Sequence, residues 1–199
     1  MKLILLVAFG TVCGAALLSV ILLRSEPAAE HTPREQLPVA AVPTASVRKT
    51  VTADPPHASQ PLMIPVPGIG PSQLHDSFGE TRGRGRHEAI DIHAPRGTPV
   101  IAVDDGKVVK LFTSKPGGLT VYQFDPGQEV AYYYAHLDRY AAGLAEGMEL
   151  KRGDLIGYVG STGNANPAAP HLHFAIFVLG PEKRWWEGTA INPYPLLRR

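Results

Sequence analysis

The chain has 199 residues, enough for one well-packed domain with an appendage or for two very small domains. Its 19 basic and 18 acidic residues leave a formal net charge of +1, which argues against nucleic acid as the main partner, since phosphate neutralisation needs a concentrated basic surface. A single cysteine, Cys13, excludes an intramolecular disulfide framework and a multi-cysteine metal cage.

The chain begins with an apolar run. Leu3 to Leu23 carries no charge over 21 residues and lies between Lys2 and Arg24. As a helix it would span ~31 Å, matching a hydrocarbon core of ~30 Å. A secretory signal has a shorter apolar core and a small-residue cleavage site, whereas Arg24-Ser25-Glu26-Pro27 offers neither. Residues 1–24 are therefore predicted to be a transmembrane anchor or an uncleaved signal. Residues 25–71 then hold 10 of the chain's 19 prolines and show no apolar period. The stretch 25–61 is predicted to be an extended, proline-rich linker, ~33 Å end to end as a flexible coil and ~115 Å at full stretch. His31 and His57 lie in it as isolated residues, outside any motif, and are read as inert.

A folded domain is expected over 62–199, with 14 basic and 14 acidic residues between positions 72 and 199. Strands are predicted at Val100 to Val103, Lys107 to Leu111, Leu119 to Tyr122, Val130 to Ala135, Leu155 to Val159 and Leu172 to Val178. Asp105-Gly106 and Lys115-Pro116-Gly117-Gly118 are turn signals between them. Only Leu137 to Ala145 has room for a short helix, so the fold class is all-β. A faint repeat at an offset of 50 aligns Gly97, Val100, Asp104 and Val109 with Gly147, Leu150, Asp154 and Val159, suggesting two similar β units packed together.

Three histidine motifs carry the chemical signal. In His171-Leu172-His173-Phe174, a strand would put both imidazoles on one face, ~6.5–7 Å apart along the chain, with Leu172 and Phe174 facing the core. His87 and Asp91 suit a zinc ion chemically, but four residues of extended strand would separate them by ~13 Å. The chain must bend near Glu88-Ala89 if they act together; the alternative is a surface polar pair at a strand entry. His136 ends the run Tyr132-Tyr133-Tyr134-Ala135, where regular alternation puts it on the face of Tyr132 and Tyr134. There it could be a reactive group or a half-buried strand cap. No His-Glu-x-x-His sequence is present, so the helical metalloprotease arrangement is absent.

Together, His87-x-x-x-Asp91, Tyr134-Ala135-His136-Leu137 and His171-Leu172-His173-Phe174, in that order, resemble the lysostaphin/LytM-type zinc endopeptidases of peptidase family M23. Asp91-Ile92, Gly97-Thr98-Pro99-Val100, Asp105-Gly106, Gly153-Asp154 and Gly160-Ser161-Thr162-Gly163-Asn164 resemble the family's landmarks, and the likeness covers about residues 75–180. It implies a β-sandwich of the duplicated hybrid motif type, with His87, Asp91 and His173 as ligands of one Zn²⁺. It also implies His136 and His171 as the catalytic pair, in either order of roles. The implied substrate is a peptide cross-link of bacterial peptidoglycan, cut outside the cytoplasmic membrane, in the periplasm or extracytoplasmic space, by a domain tethered through the N-terminal helix. No regulatory protein partner is specified. The alternative within the same fold is a non-catalytic module that binds wall or activates another hydrolase; such homologues lose metal ligands, and here all five candidate residues are present.

Two departures from the family pattern stand out. Ala89 occupies the middle of His-x-Gly-x-Asp, and Ala175 follows His-x-His-Phe where the family often has an acidic residue. Four features are left over. His93 sits two residues after Asp91, either facing the site or at the cleft edge, and His75 precedes the entry strand. The run Arg82-Gly83-Arg84-Gly85-Arg86 either steers an anionic polymer or forms a solvated loop. Trp185-Trp186 either stacks on sugar or covers a sheet edge.

Overall fold

Short runs rich in valine, isoleucine and tyrosine, each closed by a glycine or proline turn, leave the chain few options except strands. In the computed structural model, which describes residues 61–83 and 85–199, eleven strands form in chain order. They are β1 (Thr81–Arg82), β2 (Gly85–Arg86), β3 (Ile90–His93), β4 (Pro99–Ile101), β5 (Gly106–Ser114) and β6 (Gly118–Phe124). β7 (Val130–Tyr140), β8 (Glu149–Leu150), β9 (Leu155–Val159), β10 (His171–Leu179) and β11 (Gly188–Ile191) follow, then one helical turn, α1 (Tyr194–Leu197). The all-β expectation holds. No helix among the described residues is long and apolar enough to cross a membrane, and the expected anchor at 1–24 lies outside them, as do His31 and His57.

β1 and β2 form a separate hairpin, and the other nine strands form one antiparallel sheet. Its spine is β11-β10-β7-β6-β5-β8. The long β7 serves two partners on one edge: its first half pairs with β10 and its second half with β9. This second half takes up the start of Leu137 to Ala145, where the sequence leaves room for a short helix. Leu137, Arg139 and Tyr140 find pairing partners in β9 at Val159, Tyr158 and Gly157, which outweighs the weak local helical preference.

Alternation sorts the two faces of the central strands. Tyr132 and Tyr134 of β7, Leu172, Phe174 and Ile176 of β10, and Ile90 and Ile92 of β3 are all buried in one core. Each large side chain so buried contributes roughly 1.5–3 kcal/mol. The hydroxyl of Tyr134 donates to Gln123 Oε1 (2.8 Å) and accepts from the Val103 amide (3.1 Å), so the polar end is satisfied. The opposite face of β10 carries His171, His173, Ala175 and Phe177.

The offset-50 repeat has a structural counterpart. β4 pairs with β9, and β8 with β5, so each unit lends a short strand to the other. The Gly97 amide donates to the Val159 carbonyl (2.8 Å) and the Gly147 amide to the Val108 carbonyl (2.7 Å). In return, Val159 donates to Thr98 (2.8 Å) and Val108 to Met148 (2.9 Å). The two exchanges are the same hydrogen-bond pattern used twice.

Candidate active site

Strand register brings the first residues together. His173 lies in β10 directly opposite Asp91 of β3 on one side and Ala135 of β7 on the other. Leu172 and Phe174 are fully buried and fix which way the strand faces, as their alternation predicts. His87 joins them because the chain turns at Ala89, so its Nε2 comes within 3.2 Å of Asp91 Oδ1 instead of the extended-strand separation. His173 Nδ1 is 3.1 Å from His87 Nε2 and 3.1 Å from the same Asp91 oxygen. Two imidazole nitrogens and one carboxylate oxygen thus form a nearly equilateral triangle.

The backbone sets the chemical state of these rings. His87 Nδ1–H donates to the Ser77 carbonyl (2.9 Å), which can only accept, so the neutral ring keeps its lone pair on Nε2, facing the triangle. Burial pushes the His87 pKa down, which favours that neutral, ligating form. For Asp91, burial alone would raise the pKa, but hydrogen bonds from His173 and Arg82 outweigh it and hold the carboxyl well below the usual range. The triangle offers the atoms that a divalent cation binds: two imidazole nitrogens and one carboxylate oxygen.

His136 reaches this cluster through a bulge. Between Leu119↔Leu137 and Val121↔Tyr134, one β6 residue opposes two of β7, and His136 takes φ 61°. The left-handed residue reverses the alternation. His136 therefore leaves the buried face of Tyr132 and Tyr134, where regular pairing would put it, and joins the face of His173. Its ring centroid lies 5.0 Å from His171 and 5.4 Å from His173. His136 Nδ1–H donates to the Thr162 carbonyl (2.9 Å), leaving Nε2 unprotonated in the neutral ring. Burial, reinforced by His173 beside it, lowers its pKa to about 4. His171 is held in the same way by the Ala169 carbonyl (2.9 Å), and its Nε2 is 3.8 Å from Asp91 Oδ1.

Thr162 itself is placed by two glycines. Gly118 (φ 64°) and Gly163 (φ 74°) pack backbone to backbone, and a Cβ on either would overlap the other's loop. The Thr162 hydroxyl completes the bridge by donating to Leu137 (2.7 Å) and accepting from the Leu119 amide (3.0 Å). Ser77 and Thr162 orient the imidazoles through main-chain carbonyls, which any residue possesses, while their hydroxyls brace backbone, Ser77 accepting from the Asp91 amide (3.2 Å).

The sequence profile of peptidase family M23 matches residues 85–193, more than half the chain. The protein belongs to peptidase family M23. It is 31% identical over 143 residues to the L-Ala--D-Glu endopeptidase of Bacillus subtilis, covering 68% of this chain and 42% of that protein. It is 35% identical over 115 residues to lysostaphin of Staphylococcus simulans, covering 57% of this chain and 22% of the relative. The solved catalytic domain of that lysostaphin superposes with a TM-score of 0.54 at 31% identity, over 63% of this chain and 92% of the domain. The chain thus spans less than half the length of these two curated relatives.

The departures from the M23 pattern carry little structural weight. Ala89 is fully buried and has no left-handed φ, so the bend makes no demand that only glycine meets. Ala175 is buried on β10. Among the remaining candidates, His93 is exposed with its ring 5.4 Å from that of His171, outside the donor triangle, and exposed His75 pairs with Glu80 (3.5 Å). Trp185 covers the sheet, packing with Phe112 and Tyr122, whereas Trp186 is 63% exposed. The described residues of the arginine run lie in an exposed hairpin, in line with a solvated loop, and the Arg82 guanidinium is bound to Asp91 and Glu80.

Proposed function

We propose that this M23 protein is a zinc endopeptidase that hydrolyses peptide cross-links of bacterial peptidoglycan. The observation that carries the reading is the donor triangle, whose edges are 3.1, 3.1 and 3.2 Å. A tetrahedral ion with bonds of ~2.0 Å keeps its ligand atoms ~3.3 Å apart, so these three atoms need almost no rearrangement to hold zinc and leave a fourth position open. Among the described residues, this is the His/Asp/His set whose donor atoms all fall within 4.8 Å of one another.

His87 Nε2, Asp91 Oδ1 and His173 Nδ1 are the proposed ligands. Zinc so held supplies Lewis-acid polarisation of the scissile carbonyl and activation of water near neutral pH. The rest of the work falls to the protein. His136 and His171, their Nδ1 protons committed to backbone carbonyls, present Nε2 to the reacting groups. One such nitrogen can accept the proton of the attacking water and pass it to the leaving amine, while the other, protonated, can hydrogen-bond the developing oxyanion. The depressed pKa of His136 keeps it neutral, and so a proton acceptor, through the neutral range.

The name of the L-Ala--D-Glu endopeptidase supports a peptide-bond substrate, and the uncharged Leu3 to Leu23 run supports a membrane tether; a wall substrate places the domain on the extracytoplasmic side. Metal analysis of the purified protein, combined with mass spectrometry of fragments released from purified wall, tests the proposal. About one zinc per chain and peptide-bond products are expected. A protein that binds no metal and releases nothing after zinc addition would sink it in favour of a non-catalytic wall-binding module.

A further inference from the structure

The two oxygens of Asp91 face different partners. Oδ1 looks into the donor triangle, while Oδ2 accepts from Arg82 Nη1 at 2.6 Å. The second arm of the same guanidinium, Nη2, donates to Glu80 Oε2 at 3.1 Å. Arg82 belongs to β1, whose hairpin partner β2 ends at Arg86, immediately before His87. The foot of that hairpin is tied to His87 through the backbone: the His87 amide donates to the Glu80 carbonyl (2.8 Å) and the Gly79 amide to the His87 carbonyl (2.7 Å). One short hairpin therefore carries the cation that holds Asp91, and its foot is bonded to His87.

Charge and geometry make opposite predictions for Arg82. As a bare positive charge beside a cation site it would repel the metal, and its removal would tighten binding. As an orienting group it engages Oδ2, stops the carboxylate from rotating, and leaves Oδ1 alone for the metal. Glu80 on the other arm neutralises much of the charge, which tilts the balance toward orientation. Resting on the functional reading above, we propose that Arg82 is a positioning residue that makes Asp91 a one-oxygen ligand and couples it to His87 through the β1–β2 hairpin.

The test uses the full metal-free chain and two probes, zinc for affinity and cobalt(II) for coordination number through its visible absorption. Arg82→Ala is expected to weaken zinc binding 10–100-fold, the range for lost outer partners of metal ligands. It is also expected to lower the intensity of the cobalt band, because a freed carboxylate can offer both oxygens and raise the coordination number. Arg82→Lys, which restores one donor to Oδ2, should recover a large part of both signals. Arg82 is partly exposed, so the melting temperature of the metal-free variants should stay close to that of the parent. Zinc affinity that is unchanged or higher in Arg82→Ala, with an unaltered cobalt spectrum, would overturn the proposal. A parent chain that takes up no zinc would overturn the functional reading and this inference with it. Parent uptake that Asp91→Ala leaves intact would remove Asp91 from the site, and Arg82's role with it.

Discussion

At the scale of single residues, the site depends on which nitrogen carries a proton. His87, His136 and His171 each spend Nδ1–H on a backbone carbonyl, at Ser77, Thr162 and Ala169. Each then presents Nε2 as an acceptor, while His173 Nδ1 faces two acceptors, His87 Nε2 and Asp91 Oδ1, and without metal donates between them. Removing a proposed ligand and removing a proposed proton acceptor should therefore have different consequences. His87→Ala or Asp91→Ala is expected to abolish zinc retention through gel filtration. His136→Asn should keep the metal and lose about 10²–10⁴-fold in turnover. Asparagine is the apt replacement because it tolerates the left-handed φ of 61° better than alanine. Equal zinc content in all three variants would exclude the assignment. His136 also links stability to pH. Its folded pKa, about 4, lies below the unfolded value near 6.5, so in that window the unfolded chain binds a proton that the folded chain refuses. Stability of the metal-free protein should fall as the pH drops from about 6.5 toward 4, and the fall should be shallower in His136→Asn. Urea midpoints at several pH values would measure the difference, and parallel curves would contradict it.

Among the elements, β7 and its bulge decide whether the histidines meet. The motifs made His171, His173, His87 and Asp91 legible as candidates, and the ~13 Å problem correctly demanded a bend at Ala89. His136 was legible as a residue but misplaced as a direction. Period-2 alternation puts it on the face of Tyr132 and Tyr134, and nothing in Tyr132-Tyr133-Tyr134-Ala135-His136 marks the extra residue that flips it. The bulge comes from long-range partners, since the His136 amide donates to Gly117 (2.8 Å) and the ring to Thr162. The same blindness to distant pairing leaves room for a helix after Leu137, where β7 continues instead. Gly163 is the element-level test. Alanine there would have to hold φ 74° and would collide with the Pro116–Gly118 backbone, costing about 3 kcal/mol from the left-handed strain and overpacking together. Gly163→Ala should lower the melting temperature and displace Thr162, so turnover should drop further than His87-site zinc affinity. A variant with parental stability would show that the loop has slack which the packing denies.

For the whole molecule, the offset-50 repeat turns out to be a statement about cooperativity. Because β4 is completed by β9 and β8 by β5, neither unit has its full set of strand partners until the other is present. Neither half can loosen first without stripping hydrogen bonds from its counterpart. Unfolding of the domain should consequently appear as one transition by every probe. The amides of Val108 and Val159, which make equivalent bonds to Met148 and Thr98, should exchange with solvent at closely similar opening free energies. Two separate melting steps, or widely different protection at those two amides, would argue against this. The exchange also bears on survival after damage. The exposed turn Pro126–Gln128 lies between the two halves along the chain, so a protease cutting there would sever the covalent thread but not the clasp. The nicked protein would stay assembled, held by strands that each fragment has inserted into the other.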